Sequence, residues 1–148
     1  MRVVVQRVKE AGVIIDGNPC SDISRGYVIL LGIRKGDREL DAVFLADKCA
    51  ALRVFEDERG KMNLGLKDVH GSALVVSQFT LYGNAQKGNR PSFTDAAGPE
   101  EAERLYQVFV RRMRSGLGDE RVKTGVFRAM MDVHLVNDGP VTIVIESS

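Results

Sequence analysis

The residues best placed to do chemistry are Ser77-Gln78-Phe79-Thr80, which put a hydroxyl, a carboxamide and a second hydroxyl directly after the apolar run Ala73-Leu74-Val75-Val76. Such a run reads as a buried strand, and polar residues at its end mark the place where a pocket can open beside free backbone N–H groups. Three hydrogen-bonding side chains and free main-chain donors at a strand end could hold a polar ligand there. Thr80 as a nucleophile needs a base, and none lies nearby. His70 sits in a turn beside Gly71, and His134 alternates with Val133 and Leu135 on a strand, so both read as structural. From chemistry alone the four residues read equally well as a Ser and a Thr alternating on a sheet face.

A second segment, Asn137-Asp138-Gly139-Pro140, offers backbone shape rather than a reactive group. Gly supplies positive φ and Pro removes a donor, so by itself the segment reads as a hairpin turn leading to a last edge strand.

Other chemistries lack support. No Gly-x-x-x-x-Gly-Lys, Gly-x-Gly-x-x-Gly or Gly-x-Ser-x-Gly occurs, so the nucleotide-binding and serine-elbow readings lose their main basis. Cys20 and Cys49 stand alone, without the spacing of a disulfide framework or zinc site, and no metal or cofactor is expected. With 21 basic and 20 acidic residues the net charge is +1, too small a field for indiscriminate nucleic-acid binding. DNA is therefore not an expected partner, and any RNA contact must be local. The opening residues are too polar for a signal peptide, and no run of about 18 apolar residues occurs. A cytoplasmic protein without a membrane partner is expected.

These residues need elements to position them. At 148 residues the chain suits one domain. Arg2 to Val8 and Gly12 to Ile15 read as a pair of strands before the turn Asp16-Gly17-Asn18-Pro19, and Tyr27 to Ile33 as a central strand buried on both faces. Asp37 is a plausible N-cap for a helix to about Leu52, with Ala42, Leu45, Cys49 and Leu52 on one face. Arg53 to Glu56 and Ala73 to Val76 read as strands. Asn84 to Gly98 reads as a long loop, of a kind that is usually either functional or disordered. Pro99 opens a second helix with the apolar stripe Ala102, Leu105, Phe109 and Met113, closed by Gly116. Strands near Arg121 to Phe127, Met131 to Val136 and Val141 to Glu146 finish the chain. The order predicts a single α+β domain: a mostly antiparallel, barrel-like sheet with two main helices packed on one side.

Taken together, SQFTLYG and NDGPVT, in this order and separation, resemble the two signature motifs of the D-aminoacyl-tRNA deacylases. The opening Met1 to Val8, the Lys87 to Phe93 loop and the stretch from Gly125-Val126-Phe127 to Met131 resemble the same family, so the likeness spans nearly the whole chain. The resemblance implies an enzyme that hydrolyses the ester of D-aminoacyl-tRNA, and of glycyl-tRNA mischarged on tRNA(Ala), during translation quality control. It implies catalysis at Ser77, Gln78, Phe79 and Thr80. It also implies a homodimer in which a cis Gly139-Pro140 element, with Asn137 and braced by Arg7 of its own or the partner chain, excludes L-amino acids from the neighbouring subunit's pocket. Lys87, Arg90 and Phe93 would hold the tRNA 3′ end. A non-catalytic RNA-end-binding module and a small-molecule esterase using Thr80 are the competing readings.

Overall fold

The computed structural model describes residues 1–148. The first strand, β1, runs unbroken from Arg2 to Ile15, where the sequence suggested two. The polar Lys9-Glu10 interruption is a bulge rather than a turn: Val8 pairs with Asn137 and Glu10 with Val136, leaving Lys9 without a counterpart. Such an extra residue bends a strand and increases its twist. The bend lets β1 serve two neighbours on one edge, β3 (Gly26–Gly32) along its first half and β2 (Asn18–Ile23) along its second.

Helix α1 spans Glu39–Ala51 with Arg38 at its cap, one residue later than an Asp37 cap would start it. The Asp37 carboxylate is already engaged, accepting from the Met1 ammonium at 2.7 Å and from the Arg34 amide at 2.7 Å. Asp41 instead accepts from the Arg38 amide at 2.8 Å, the reach-back bond that helps satisfy a helix start. Strands β4 (Phe55–Glu56) and β5 (Met62–Leu64) form a small separate ribbon. Next come β6 (Ser72–Ser77), the 3₁₀ turn Phe79–Tyr82, helix α2 (Pro99–Leu117), β7 (Val122–Thr124) and β8 (Asp132–Glu146).

The main sheet runs β2-β1-β3-β6-β7, with β8 on the other edge of β1. Pairings to β1 are antiparallel, whereas β3-β6 and β6-β7 are parallel. Val3, Val5, Tyr27, Ile29, Leu31, Ala73 and Val75 face one side, where α1 and α2 cover them with Leu45, Cys49, Leu105, Phe109 and Met113. On the opposite side Val28, Leu74 and Val76 meet Val8, Ala11, Val13 and Ile23, with Met131, Val133 and Leu135 against them. The sheet thus curls over itself, and the expected α+β, barrel-like architecture with both helices on one side is what forms. No helix is long and apolar enough to cross a membrane.

The end of the chain departs from expectation. A turn at Asn137-Asp138-Gly139 between two strands does not form; β8 passes through it as one strand of 15 residues. Four residues, Asp138 to Val141, stand opposite Arg7 alone, since Gln6 pairs with Thr142 and Val8 with Asn137. The segment is a large outward bulge on an otherwise continuous ladder.

Candidate active site

Strand β6 delivers the first group of site residues. It is buried from Ala73 to Val76 and breaks at Ser77, where the chain turns into the 3₁₀ segment instead of continuing as a sheet face. Three supports hold that turn. The Gln78 amide donates to the Leu31 carbonyl at 2.8 Å. Gly32 lies under Leu81: a Cβ there would come within 2.9 Å of Leu81 Cβ and 3.2 Å of the Gln78 carbonyl oxygen, so the turn seats on this strand because the position is bare. Arg2, paired with Glu146, donates from Nη1 to the Leu81 carbonyl at 2.8 Å, and its guanidinium lies 5.1 Å from the Tyr82 ring centroid.

Within the turn, Leu81 donates to the Gln78 carbonyl and Gly83 to that of Thr80, whereas Phe79 and Thr80, its first two residues, have no partner for their amides inside it. Two consecutive unpaired N–H groups at a strand end are suited to an oxyanion. The Gln78 side chain donates to Thr80 Oγ1, so that hydroxyl is held by a carboxamide, which cannot act as a base.

A cavity of about 330 Å³ opens beside these residues. Ser77, Gln78 and Phe79 form one wall, Leu31, Ile33 and Val76 the floor, and Phe127 to Met131 the opposite wall. The lining is mainly apolar, and Arg128 is its one ionisable side chain. A ligand of amino-acid size could enter, and neither His70 nor His134 lies in the lining, in keeping with their structural reading. The chemistry available is main-chain hydrogen bonding and desolvation.

The loop expected to hold the substrate's nucleic-acid end is tied beside this mouth. Asn84 and Ser92 exchange backbone hydrogen bonds of 2.7 and 2.8 Å, closing it into a narrow finger, and Lys35 to Asp95 and Ala97 to Ile33 bonds fasten its base. Phe93 packs edge-on against Phe79, centroids 5.2 Å apart. Lys87 and Arg90 are exposed between the two anchors.

The second group is built around the β8 bulge. Asn137 Oδ1 accepts from the Val141 amide at 2.8 Å, and its Nδ2 donates to Thr142 Oγ1 at 3.2 Å, so one carboxamide staples both ends of the projection. Arg7, 6% exposed, donates to the Asp138 carbonyl at 2.9 Å and to the Val54 carbonyl at 2.6 Å. The brace therefore comes from the same chain. Gly139 has φ +138°, and a Cβ on it would meet Val141 Cγ2 at 2.8 Å and Arg7 Nη2 at 3.1 Å. The Gly139-Pro140 peptide is cis, and both residues are exposed.

The two groups do not meet within one chain. Ser77 pairs with Leu31, Leu31 with Val3, and Val3 with Ile145, whereas the bulge stands at the level of Arg7. Four residues along and three strands across give a separation of roughly 20 Å along the sheet. No residue from Asn137 to Val141 lines the cavity. Reasoning from sequence chemistry missed the Phe127 to Met131 wall and the supports Arg2 and Gly32; the wall carried a signal only through family likeness.

Comparison with known proteins decides the kinship. Residues 4–146 match the family model described as D-Tyr-tRNA(Tyr) deacylase. The chain belongs to this deacylase family. Family relatives named D-aminoacyl-tRNA deacylase include one from Thermotoga petrophila, 56% identical over 149 residues and covering 100% of this chain and 98% of the relative. Another, from Geobacter metallireducens, is 56% identical over 148 residues, covering 99% and 96%. Among solved structures, a c-Myc DNA unwinding element binding protein superposes with TM-score 0.95 at 44% identity, covering 100% of this chain and 99% of that one. A structure described as a probable eukaryotic D-amino acid tRNA deacylase gives TM-score 0.82 at 16% identity over 99% and 98%, a likeness of fold.

Proposed function

We propose that this chain hydrolyses the ester of D-aminoacyl-tRNA in the cytoplasm, releasing the D-amino acid and tRNA and so removing mischarged products from translation. Family membership supports the reading, and the observation that carries it is the free amide of Phe79, which lines an apolar cavity, with that of Thr80 next to it in the chain. An aminoacyl ester is activated by its own ammonium group and needs placement and oxyanion binding more than a strong nucleophile. Thr80, held by Gln78 with no base in the cavity, shapes the pocket and orients water. The terminal ribose 2′-hydroxyl assists the attack.

Chirality requires a wall. In our reading the working unit is a homodimer, and a second copy seats its Gly139-Pro140 bulge in the cavity that the first copy leaves open. The roughly 20 Å gap within one chain supports this, as do the bracing of an exposed bulge by a buried arginine and the long free edge of β8. Main-chain oxygens of the bulge accept from the substrate ammonium, and the backbone fills the space an L side chain needs. A D side chain points outward, and glycine, with none, is also admitted, so glycyl-tRNA(Ala) is a second substrate. Phe93 stacks on the terminal base, and Lys87 and Arg90 meet phosphate.

Single-turnover incubation with D- and L-tyrosyl-tRNA, chelator present, tests the reading. The expected result is metal-independent release from the D form alone. Equal release from both, or release from neither, would overturn it.

A further inference from the structure

A second depression shares Phe127 with the reaction cavity. It is a groove of about 290 Å³ between one face of α2 and the chain leaving β7, lined by Glu103, Tyr106, Gln107 and Arg114 on the helix and by Thr124 and Phe127 opposite. Glu103 and Arg114 are separated by about 16 Å of helix, so the depression is elongated. Its Glu103 end adjoins Ala102, which lines the reaction cavity, and Phe127 lines both spaces. The two are consecutive compartments along one surface.

The far end is cationic and incompletely bonded. Arg114 Nε is buried with no hydrogen-bond partner, and the guanidinium has only a long 3.4 Å bond from Nη2 to the Val122 carbonyl. Arg114 as a whole is half-buried, but its Nε–H is a buried donor left unmet, and an anion at that end supplies the partner it lacks. Exposed Arg111 and Lys123 add positive charge nearby in sequence. At the near end the Glu103 carboxylate repels phosphate but accepts from an exocyclic amine, while Gln107 and Thr124 offer both donors and acceptors.

We infer that this groove is the track for the single-stranded 3′ end of the tRNA, holding the nucleotide preceding the terminal adenosine and placing its backbone phosphate against Arg114. The inference rests on the deacylase reading and assigns it a further subsite. The order of chemistry along the groove fits that occupant: an aromatic ring beside the reaction cavity, base-edge partners in the middle and a phosphate partner at the end.

The test compares two substrates, a D-tyrosyl ester of adenosine alone and the same ester on a short 3′-terminal oligonucleotide, with wild type, Arg114→Gln and Gln107→Ala. Gln107 is exposed, so its substitution leaves folding intact. The expected result is a KM about tenfold higher for the oligonucleotide in Arg114→Gln, with kcat retained and the adenosine ester unaffected. Gln107→Ala should raise the same KM by a smaller factor. Loss of one phosphate contact should also reduce the slope of log affinity against log salt by about 0.7. Variants that match wild type on the oligonucleotide, or that lose both substrates equally, overturn the groove assignment alone. A wild type that hydrolyses neither ester overturns the deacylase reading, and the groove assignment with it.

Discussion

At the residue scale the account depends on main-chain groups, and side chains matter by holding them. Thr80→Ala removes a hydroxyl already committed to Gln78 and keeps the Thr80 amide. We expect its single-turnover rate to stay within about tenfold of wild type, because the oxyanion donors are intact. A folded Thr80→Ala protein that binds tRNA but releases no D-amino acid would make Thr80 the nucleophile. Gly139 is the opposite case. At φ +138°, with 2.8 Å to Val141 Cγ2, Gly139→Ala is strained whatever rotamers neighbours adopt, and should cost about 1–3 kcal/mol in chemical denaturation. Unchanged stability would mean the bulge is pliant. Neither role was legible from residue type alone: SQFT read equally well as a sheet face and NDGP as an ordinary turn. What altered the reading was the two together, in family order.

At the element scale the position of the 3₁₀ turn is set by what lies beneath it. Gly32→Ala adds one methyl where Leu81 and the Gln78 carbonyl already sit, so it should shift the turn and its two amides. We expect a drop of about 10²-fold in kcat with little change in far-UV circular dichroism, the size expected when one oxyanion donor is lost. A variant with wild-type kcat would show that the turn has slack. Periodicity made most elements visible: α2 announced itself by Pro99 and its apolar stripe, and β3 by its continuous apolar run. The failures came from long-range partners. Asp37 would cap α1 if left free, but the Met1 ammonium, brought close by the sheet, takes it. Lys9-Glu10 is polar like a turn, yet β8 continues the ladder past it. Within α1, burial pushes the Cys49 thiol up to about 12, while Cys20 is exposed. At pH 8 a thiol-specific chromogenic reagent should therefore modify one thiol rapidly and the second only on unfolding, because the thiolate is the reactive form. Two rapidly reacting thiols would mean that α1 does not pack as described.

At the scale of the whole molecule, one chain carries both segments of the proposed site and keeps them apart. The cavity beside Ser77 to Phe79 and the Gly139-Pro140 bulge stand on different strands of one sheet, with β3 and β1 paired between them. This was invisible to sequence periodicity, which speaks of each strand alone. The proposed symmetric dimer accounts for the separation, because each chain would then lend its bulge to the other. The most direct measurement is subunit mixing. Thr80→Pro deletes an oxyanion amide and leaves the bulge sound; Gly139→Val spoils the bulge and leaves the amides sound. Each alone should lack D-selective release from aminoacyl-tRNA. After the two are unfolded together and refolded in equal amounts, half the dimers are mixed and one of their two sites is whole, so about a quarter of wild-type D-selective activity should return. If the mixture stays as inactive as its parents while mixed dimers are present, the bulge and the cavity do not work across subunits, and the account is wrong.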